Sequence, residues 1–419
     1  MKNYLKISLI AIICWSFVGL VPYPIDGYSR TGIKRLLRIE RIKNGEIKET
    51  LNLPAGAMKG YNEIKLNLVS KWKDSTAQFL VKDEQFNKEI NGLFYGLDKS
   101  YSLSVLDISD VNNIRYAARN ETSGYQPGSV GKIAVLVGLF NQLAIIYPDS
   151  FEQRIELLKS KSVKAGQWGM TDEHTVPIFN VETNKLVKRT VIPSDVFTLF
   201  EWADHMMSVS NNGAASIVWR ETLLMAAFGK DYPELTQEGA DDYFKNTPKR
   251  ELTDLGNDVV NLPLRKLGIT FEEWRLGTFF TRGSNNYIGS KDGSIGSPIG
   301  LMKFLVQLEQ GKVVDEKSSL EMKRLMYMTD RRIRYAQAPA LKNAAVYFKS
   351  GSLYKCDRTK GEECGKYMGN VQNFMNSVAI VEHPNGKKYM VALMTNVLRK
   401  NSASDHMYLA GSIDKLINK

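Results

Sequence analysis

Gln126-Pro127-Gly128-Ser129-Val130-Gly131-Lys132 runs directly into the apolar segment Ile133 to Phe140. Pro127 and Gly128 close an irregular stretch, and the run after them is long enough for a buried helix, so Ser129 is expected on its first turn. Lys132 then lies one turn on and on the same face, because positions i and i+3 are neighbours in a helix. A serine hydroxyl is a poor nucleophile until a base removes its proton. A lysine among apolar residues can be that base, since burial disfavours the charged amine. The unpaired N–H groups at a helix start also favour developing negative charge. A phosphate loop does not fit: the first glycine of G-x-x-x-x-G-K-[ST] would fall on Gln126, and Ile133 follows the lysine.

Two further motifs follow in order. Ser210-Asn211-Asn212 stands before Gly213-Ala214-Ala215, and Lys349-Ser350-Gly351 comes at the end of the strand-like run Val346-Tyr347-Phe348. Alone, each has an ordinary reading as a helix cap, a turn asparagine or a loop serine. Together they match the S-x-x-K, S-x-N and K-[ST]-G set. The chain thereby resembles the penicillin-recognising serine hydrolases, the superfamily of class A β-lactamases and D-Ala-D-Ala peptidases. The resemblance implies an α+β, β-lactamase/transpeptidase-like fold, with an antiparallel sheet formed from both chain ends and a mostly helical subdomain. It implies Ser129 as nucleophile, Lys132 as its base, Ser210 as proton relay and Lys349 as a positive charge near Ser210 and a substrate carboxylate. Asn212 would hold the substrate's amide side chain and Ser350 its carboxylate. The backbone N–H groups of Ser129 and of Ser352, the residue after Gly351, would form the oxyanion hole. A Ser-His-Asp reading has no serine in G-x-S-x-G to support it.

One departure bears on the reaction. Class A β-lactamases carry a glutamate in an E-x-x-L-N setting that activates the water clearing the acyl-enzyme, and no such setting lies between Asn212 and Ser297. Counting back from Ser297-Pro298 reaches Thr281-Arg282-Gly283, without a carboxylate. Glu251, Glu272 and Glu273 are the nearest glutamates, and Phe271-Glu272-Glu273-Trp274 reads as part of an amphipathic helix.

At 419 residues and 43% hydrophobic the chain can bury a large core. Its net charge of +11 would suit an anionic polymer or membrane surface. The basic residues are spread along the chain with no nucleic-acid motif, so a solvated surface is expected and no nucleic-acid partner. Lys2 and Lys6 precede the apolar stretch Ile7 to Val21, shorter than the roughly 20 residues of a spanning helix. That pattern reads as a secretory signal, with an uncleaved membrane anchor through residues 7–21 as the alternative, and places the protein in the periplasm or cell envelope. Cys14 belongs to this segment, since Ile13 is too large to precede a lipidated cysteine. Cys356 and Cys364 flank a polar stretch, and in an exported chain they are read as a disulfide closing one loop, with free thiols as the alternative. Neither a metal nor a cofactor is expected: two cysteines and His174, His205, His383 and His406 give no zinc-ligand spacing.

Residues 1–27 are thus a signal peptide or anchor, 28–95 an N-terminal extension and 96–419 the serine hydrolase domain, with 129–339 its mainly helical part. In the extension, Gly32 to Ile42 has helical spacing and Ile64 to Trp72 resumes an apolar pattern; packing on the catalytic domain is expected, a spacer role being the alternative. Ser102 to Ile108 and Ile114 to Ala118 read as a strand pair, as do Asn376 to Glu382 and Lys388 to Asn396 about the turn His383 to Lys387. Val196 to Met207, Thr222 to Phe228, Leu252 to Leu267, Met302 to Leu308 and Ala403 to Ile417 read as helices, Ser297-Pro298 as a helix entry and Gly289 to Gly300 as an exposed loop. The function read from all this is an exported acyl-serine hydrolase attacking a β-lactam or the D-Ala-D-Ala amide of a peptidoglycan stem peptide through an acyl-enzyme on Ser129. Three alternatives stand beside it: a D-Ala-D-Ala carboxypeptidase or penicillin-binding protein, an esterase on the same scaffold, and a non-catalytic receptor for a β-lactam or cell-wall peptide.

Overall fold

Period-two alternation of apolar residues builds a sheet with two buried faces. The computed structural model describes residues 26–51, 53–170, 174–327, 332–360 and 363–419; the segment 7–21 with Cys14 lies outside them. The strands are β1 (Ser102–Asp107), β2 (Arg115–Arg119), β3 (Ala345–Lys355), β4 (Gln372–Glu382) and β5 (Lys388–Asn396). They pair antiparallel throughout in the order β2-β1-β5-β4-β3, so the sheet is drawn from both ends of the chain. Leu106, Tyr347, Val378, Ile380, Met390 and Ala392 point into the main core. Their neighbours Leu103, Val105, Val346, Phe348, Ala379, Val381, Val391 and Leu393 enter a second core on the opposite face.

The principal helices are α1 (Lys34–Lys43), α2 (Lys132–Ile146), α3 (Leu199–Ser208), α4 (Asn212–Phe228), α5 (Lys249–Lys266), α6 (Pro298–Glu309), α7 (Glu316–Tyr327) and α8 (Ala403–Ile417). Helix α8 covers the second core with Leu409, Ala410, Ile413 and Ile417. On the other face, α2 and α4 lie side by side and are apolar nearly all round, as helices at the centre of a core must be. With its leading turn α2 is apolar and long enough to cross a membrane, yet it is mostly buried inside the protein. Thr198 and Glu201 form a reciprocal cap on α3, and Ser297 caps α6 with Pro298 at its first position.

Three local expectations are corrected. Lys349-Ser350-Gly351 does not end its strand: β3 continues to Lys355, because β4 supplies ladder partners as far as Gln372. Phe271 to Trp274 is not helical. The left-handed Gly268 ends the helical region, Thr270 and Glu273 close a turn by mutual side-chain to backbone bonds of 2.9 and 3.3 Å, and Trp274–Arg275 pairs with Ile295–Gly296. The stretch 289–300 is therefore not all exposed loop, since it contains that second strand and the start of α6. Within 129–339, a hairpin of Val176–Asn180 with Lys185–Arg189 and an antiparallel pair of Ser162–Lys164 with Val196–Thr198, which encloses it in sequence, also interrupt the helices.

The extension packs on the rest of the chain. Ile33, Leu36, Ile64 and Leu68 belong to the main core. On α1 the Arg35 guanidinium donates to both carboxylate oxygens of Asp204 on α3, at 2.6 and 2.7 Å, and both side chains are buried. On the far side Lys323 of α7, fully buried, pairs with Glu309 and Glu382 at 2.6 and 2.8 Å. Lys59 and Asn67 of the extension bind those same carboxylates.

Removing one member of a buried pair strands the other charge. Arg35→Met is expected to cost about 3–5 kcal/mol in denaturant unfolding, and the double change Arg35→Met, Asp204→Leu to recover most of it. A single variant as stable as the parent would show that the pair does not hold the extension.

Candidate active site

Ser129 lies in a tight turn, Gly128–Gly131, that leads into α2 rather than on the helix itself. Two contacts set this turn against the sheet. Asn376 of β4, fully buried, donates to the carbonyls of Gln126 and Pro127 at 2.9 and 3.1 Å. At Gly351 of β3 a side chain would come within 2.2 Å of the Pro127 carbonyl and 2.8 Å of the Ser129 amide nitrogen. Gly128 is left-handed, and a Cβ there would lie 2.8 Å from the Ser352 nitrogen. Both glycines are therefore dictated by backbone meeting backbone, and the meeting puts the Ser129 amide beside β3 at residues 351–352.

Ser210 occupies the short link between α3 and α4 with φ of 63°, a left-handed conformation costing a non-glycine residue about 1–2 kcal/mol. Its neighbour holds it there. The Asn211 amide donates to the His205 carbonyl at 3.0 Å, its side-chain oxygen caps α4 at Ala214, and its side-chain nitrogen reaches the His174 carbonyl at 2.9 Å. Strain at Ser210 is thus offset by bonds made on either side.

The two lysines converge on Ser210. Lys132, fully buried, donates to the Ser210 carbonyl at 2.5 Å and to Asn212 Oδ1 at 2.8 Å, with Ser210 Oγ at 3.3 Å and the Phe280 ring centre at 5.2 Å. Lys349 donates to Ser210 Oγ at 2.7 Å. Burial pushes the Lys349 amine well below the usual lysine range, and the positive charges of Lys132 and Arg334 push it the same way.

Of the residues singled out in the sequence, Ser129, Ser210, Asn212, Lys349, Ser350, Gly351 and Ser352 line one cavity of about 990 Å³, with Lys132 directly behind it. Cys356 and Cys364 are joined in a disulfide, Cα to Cα 5.9 Å, and lie outside that lining. The sequence reading missed Arg334. It is buried, has a φ of 54°, and donates to the Gly351 carbonyl and Ser352 Oγ, both at 3.0 Å. It also missed Asn376 and Phe280. Arg334 stands in a basic run and Asn376 in a plain strand, so no local pattern marks either. The glutamates considered as water activators are placed elsewhere: Glu273 pairs with Lys303 at 2.6 Å, and Glu251 and Glu272 are exposed. Among the described residues lining the cavity there is no carboxylate, and Leu276, Thr278, Phe279 and Phe280 stand on that side.

The model of the beta-lactamase enzyme family matches residues 245–417, a span that includes Lys349 to Gly351. No curated protein sequence matches the chain. Among solved structures, the TLA-3 extended-spectrum β-lactamase superposes with a TM-score of 0.54 at 14% identity, over 80% of this chain and 99% of that one. A class A β-lactamase representative from Bacteroides cellulosilyticus gives 0.51 at 17% identity, over 82% and 97%. PBP-A gives 0.51 at 14% identity, over 81% and 98%. The chain has the fold of the penicillin-recognising serine hydrolases, and its residues 245–417 match the β-lactamase enzyme family.

Proposed function

We propose that the protein is an exported acyl-serine hydrolase that attacks a β-lactam, or the D-Ala-D-Ala amide of a cell-wall stem peptide, through an acyl-enzyme on Ser129. The observation that carries this reading is the Ser210 hydroxyl, held by two buried lysines in the cavity that Ser129 lines. A neutral Lys132 amine has two N–H bonds, and the Ser210 carbonyl and Asn212 Oδ1 accept them. Its lone pair takes the Ser129 proton as Ser129 Oγ attacks the substrate carbonyl. The amides of Ser129 and Ser352 stabilise the oxyanion. When the C–N bond breaks, Ser210 hands its proton to the leaving nitrogen and is reprotonated from the lysine side. Asn212 Nδ2 holds the substrate amide, Ser350 meets the carboxylate, and Lys349 and Arg334 supply positive charge to it.

The same cavity favours a slow second half-reaction. Water must be activated to clear the acyl-enzyme, and no carboxylate for that task stands among the described lining residues, the ring of Phe280 lying 5.2 Å from the Lys132 amine. This supports a penicillin-binding peptidase or acylated sensor as the second reading. Action outside the cytoplasm is supported by the disulfide, which persists in oxidising compartments.

Intact-mass spectrometry after mixing with benzylpenicillin should show an adduct of the whole drug that persists for many minutes and is absent in Ser129→Ala. Decay within seconds would identify an efficient β-lactamase, and no adduct on the parent protein would sink the acyl-serine reading. A second outcome concerns Lys349. Burial and the neighbouring cations hold its amine towards the neutral form, and a bound carboxylate favours the charged form. Binding of benzylpenicillin to Ser129→Ala should therefore take up a proton at pH values above the lowered Lys349 pKa, and affinity should fall as pH rises there. Calorimetry in two buffers of different ionisation enthalpy reads this directly. The methyl ester of the drug should show no uptake, and uptake that survives in Lys349→Met would assign the proton to another group.

A further inference from the structure

Strands β3 and β4 pair as far as Lys355 opposite Gln372, yet the chain does not turn there; it runs out through residues 356 to 371 before returning. The base of this loop is closed. Cys356 is joined to Cys364, Asp357 and Asn370 exchange two backbone to side-chain bonds of 2.8 and 2.9 Å, and a Cβ at Gly369 would lie 2.1 Å from the Gln372 carbonyl. Residues 361 and 362 lie outside the described residues.

The returning limb carries Lys366 and Tyr367. Tyr367 has a φ of 60°, unfavourable for an aromatic residue by about 1–2 kcal/mol. That conformation sets its ring edge-to-face with Tyr354 of β3, centroids 5.8 Å apart, and 5.2 Å from the Arg334 guanidinium. Leu353 and Tyr354 are 43% and 41% exposed, on an edge strand where charged side chains are the usual protection against wrong pairing. Lys366 lines the same cavity, is exposed, and has no carboxylate partner among the described residues. A strained tyrosine, the exposed ring of Tyr354 and a lysine amine 5.5 Å from the Tyr367 ring, with no carboxylate partner among the described residues, thus meet at one wall, next to the arginine that bonds Gly351 and Ser352.

Charge adds a second argument. Lys132, Lys349, Arg334 and Lys366 stand in or behind the cavity, and no carboxylate does among its described lining residues. One substrate carboxylate is matched by Lys349 and Arg334, which leaves Lys366. We propose that Tyr354, Lys366 and Tyr367 form a second subsite of the cavity, one that takes the far end of the acyl donor and selects donors carrying a second carboxylate beside an aromatic or other apolar group. This rests on the acyl-serine reading for the presence of a donor and deepens it by naming the donor's class.

Benzylpenicillin and carbenicillin differ by one carboxylate on the phenyl-bearing side chain, so they are a matched pair of probes. Equilibrium binding to Ser129→Ala, checked by its melting curve to be folded, should favour carbenicillin by about fivefold at low salt, the scale of a partly exposed ion pair. The preference should vanish in Lys366→Gln, whose carbenicillin binding should fall by more than its benzylpenicillin binding, and should shrink in about 0.5 M salt. Tyr367→Ala should weaken both drugs alike, because they share the phenyl ring. Equal binding of the two drugs, or a preference that survives Lys366→Gln, overturns the subsite and leaves the acyl-serine reading intact. Failure of both drugs to bind the folded protein overturns that reading, and the subsite with it.

Discussion

Everything in the cavity is referred to one backbone contact, that of β3 at Gly351 with the turn from Pro127 to Val130. The strand belongs to the sheet and the turn to the helical part, so the contact fixes the cavity residues from these two parts relative to each other. It tolerates no side chain, since an added Cβ at 351 would meet three backbone atoms of the turn within 2.8 Å. Asn376 locks it from beneath by bonding two consecutive carbonyls of the segment before Ser129. Given that contact, the Ser129 amide and the 351–352 backbone have no choice but to be neighbours. The pair of amides that the proposed oxyanion hole needs then follows from this packing.

The third piece, Ser210, is brought in by charge and cap rather than by backbone contact. Its left-handed conformation is held by Asn211, which ends one helix environment and caps the next, and its carbonyl and hydroxyl receive the two lysines. Helix α3, which carries the link, is anchored on its other side by the buried bond from Arg35 to Asp204. The extension therefore reaches the site through one helix, although none of its described residues lines the cavity.

Ser129, Lys132, Ser210, Asn212 and the Lys349 to Ser352 run were legible because each motif is local: a few residues whose spacing carries chemistry. The sheet was legible for the same reason, as period two survives in every strand. Arg334 and Asn376 were not, because their roles are set by what lies across the sheet from them, 17 to 250 residues away in sequence. Phe271 to Trp274 misled for a different reason. Its apolar spacing fits a helix, but the turn bonds of Thr270 and Glu273 and the pairing of Trp274 with Gly296 outweigh a weak local preference. The disulfide was open between two readings because sequence separation alone does not bring two sulfurs together.

The composition of the cavity separates the two halves of an acyl-transfer cycle. Acylation needs a base for the serine and positive charge for a substrate carboxylate; burial, with the neighbouring charges of Lys132 and Arg334, pushes the Lys349 amine well below the usual lysine range. Deacylation needs a base for water, and no carboxylate stands beside these cations among the described lining residues. The ring of Phe280 stands 5.2 Å from the Lys132 amine on that side of the cavity. On the acyl-serine reading proposed above, such a site suits capture of an anionic acyl donor, and the edge-to-face pair of Tyr354 and Tyr367 stands at one wall of the same cavity.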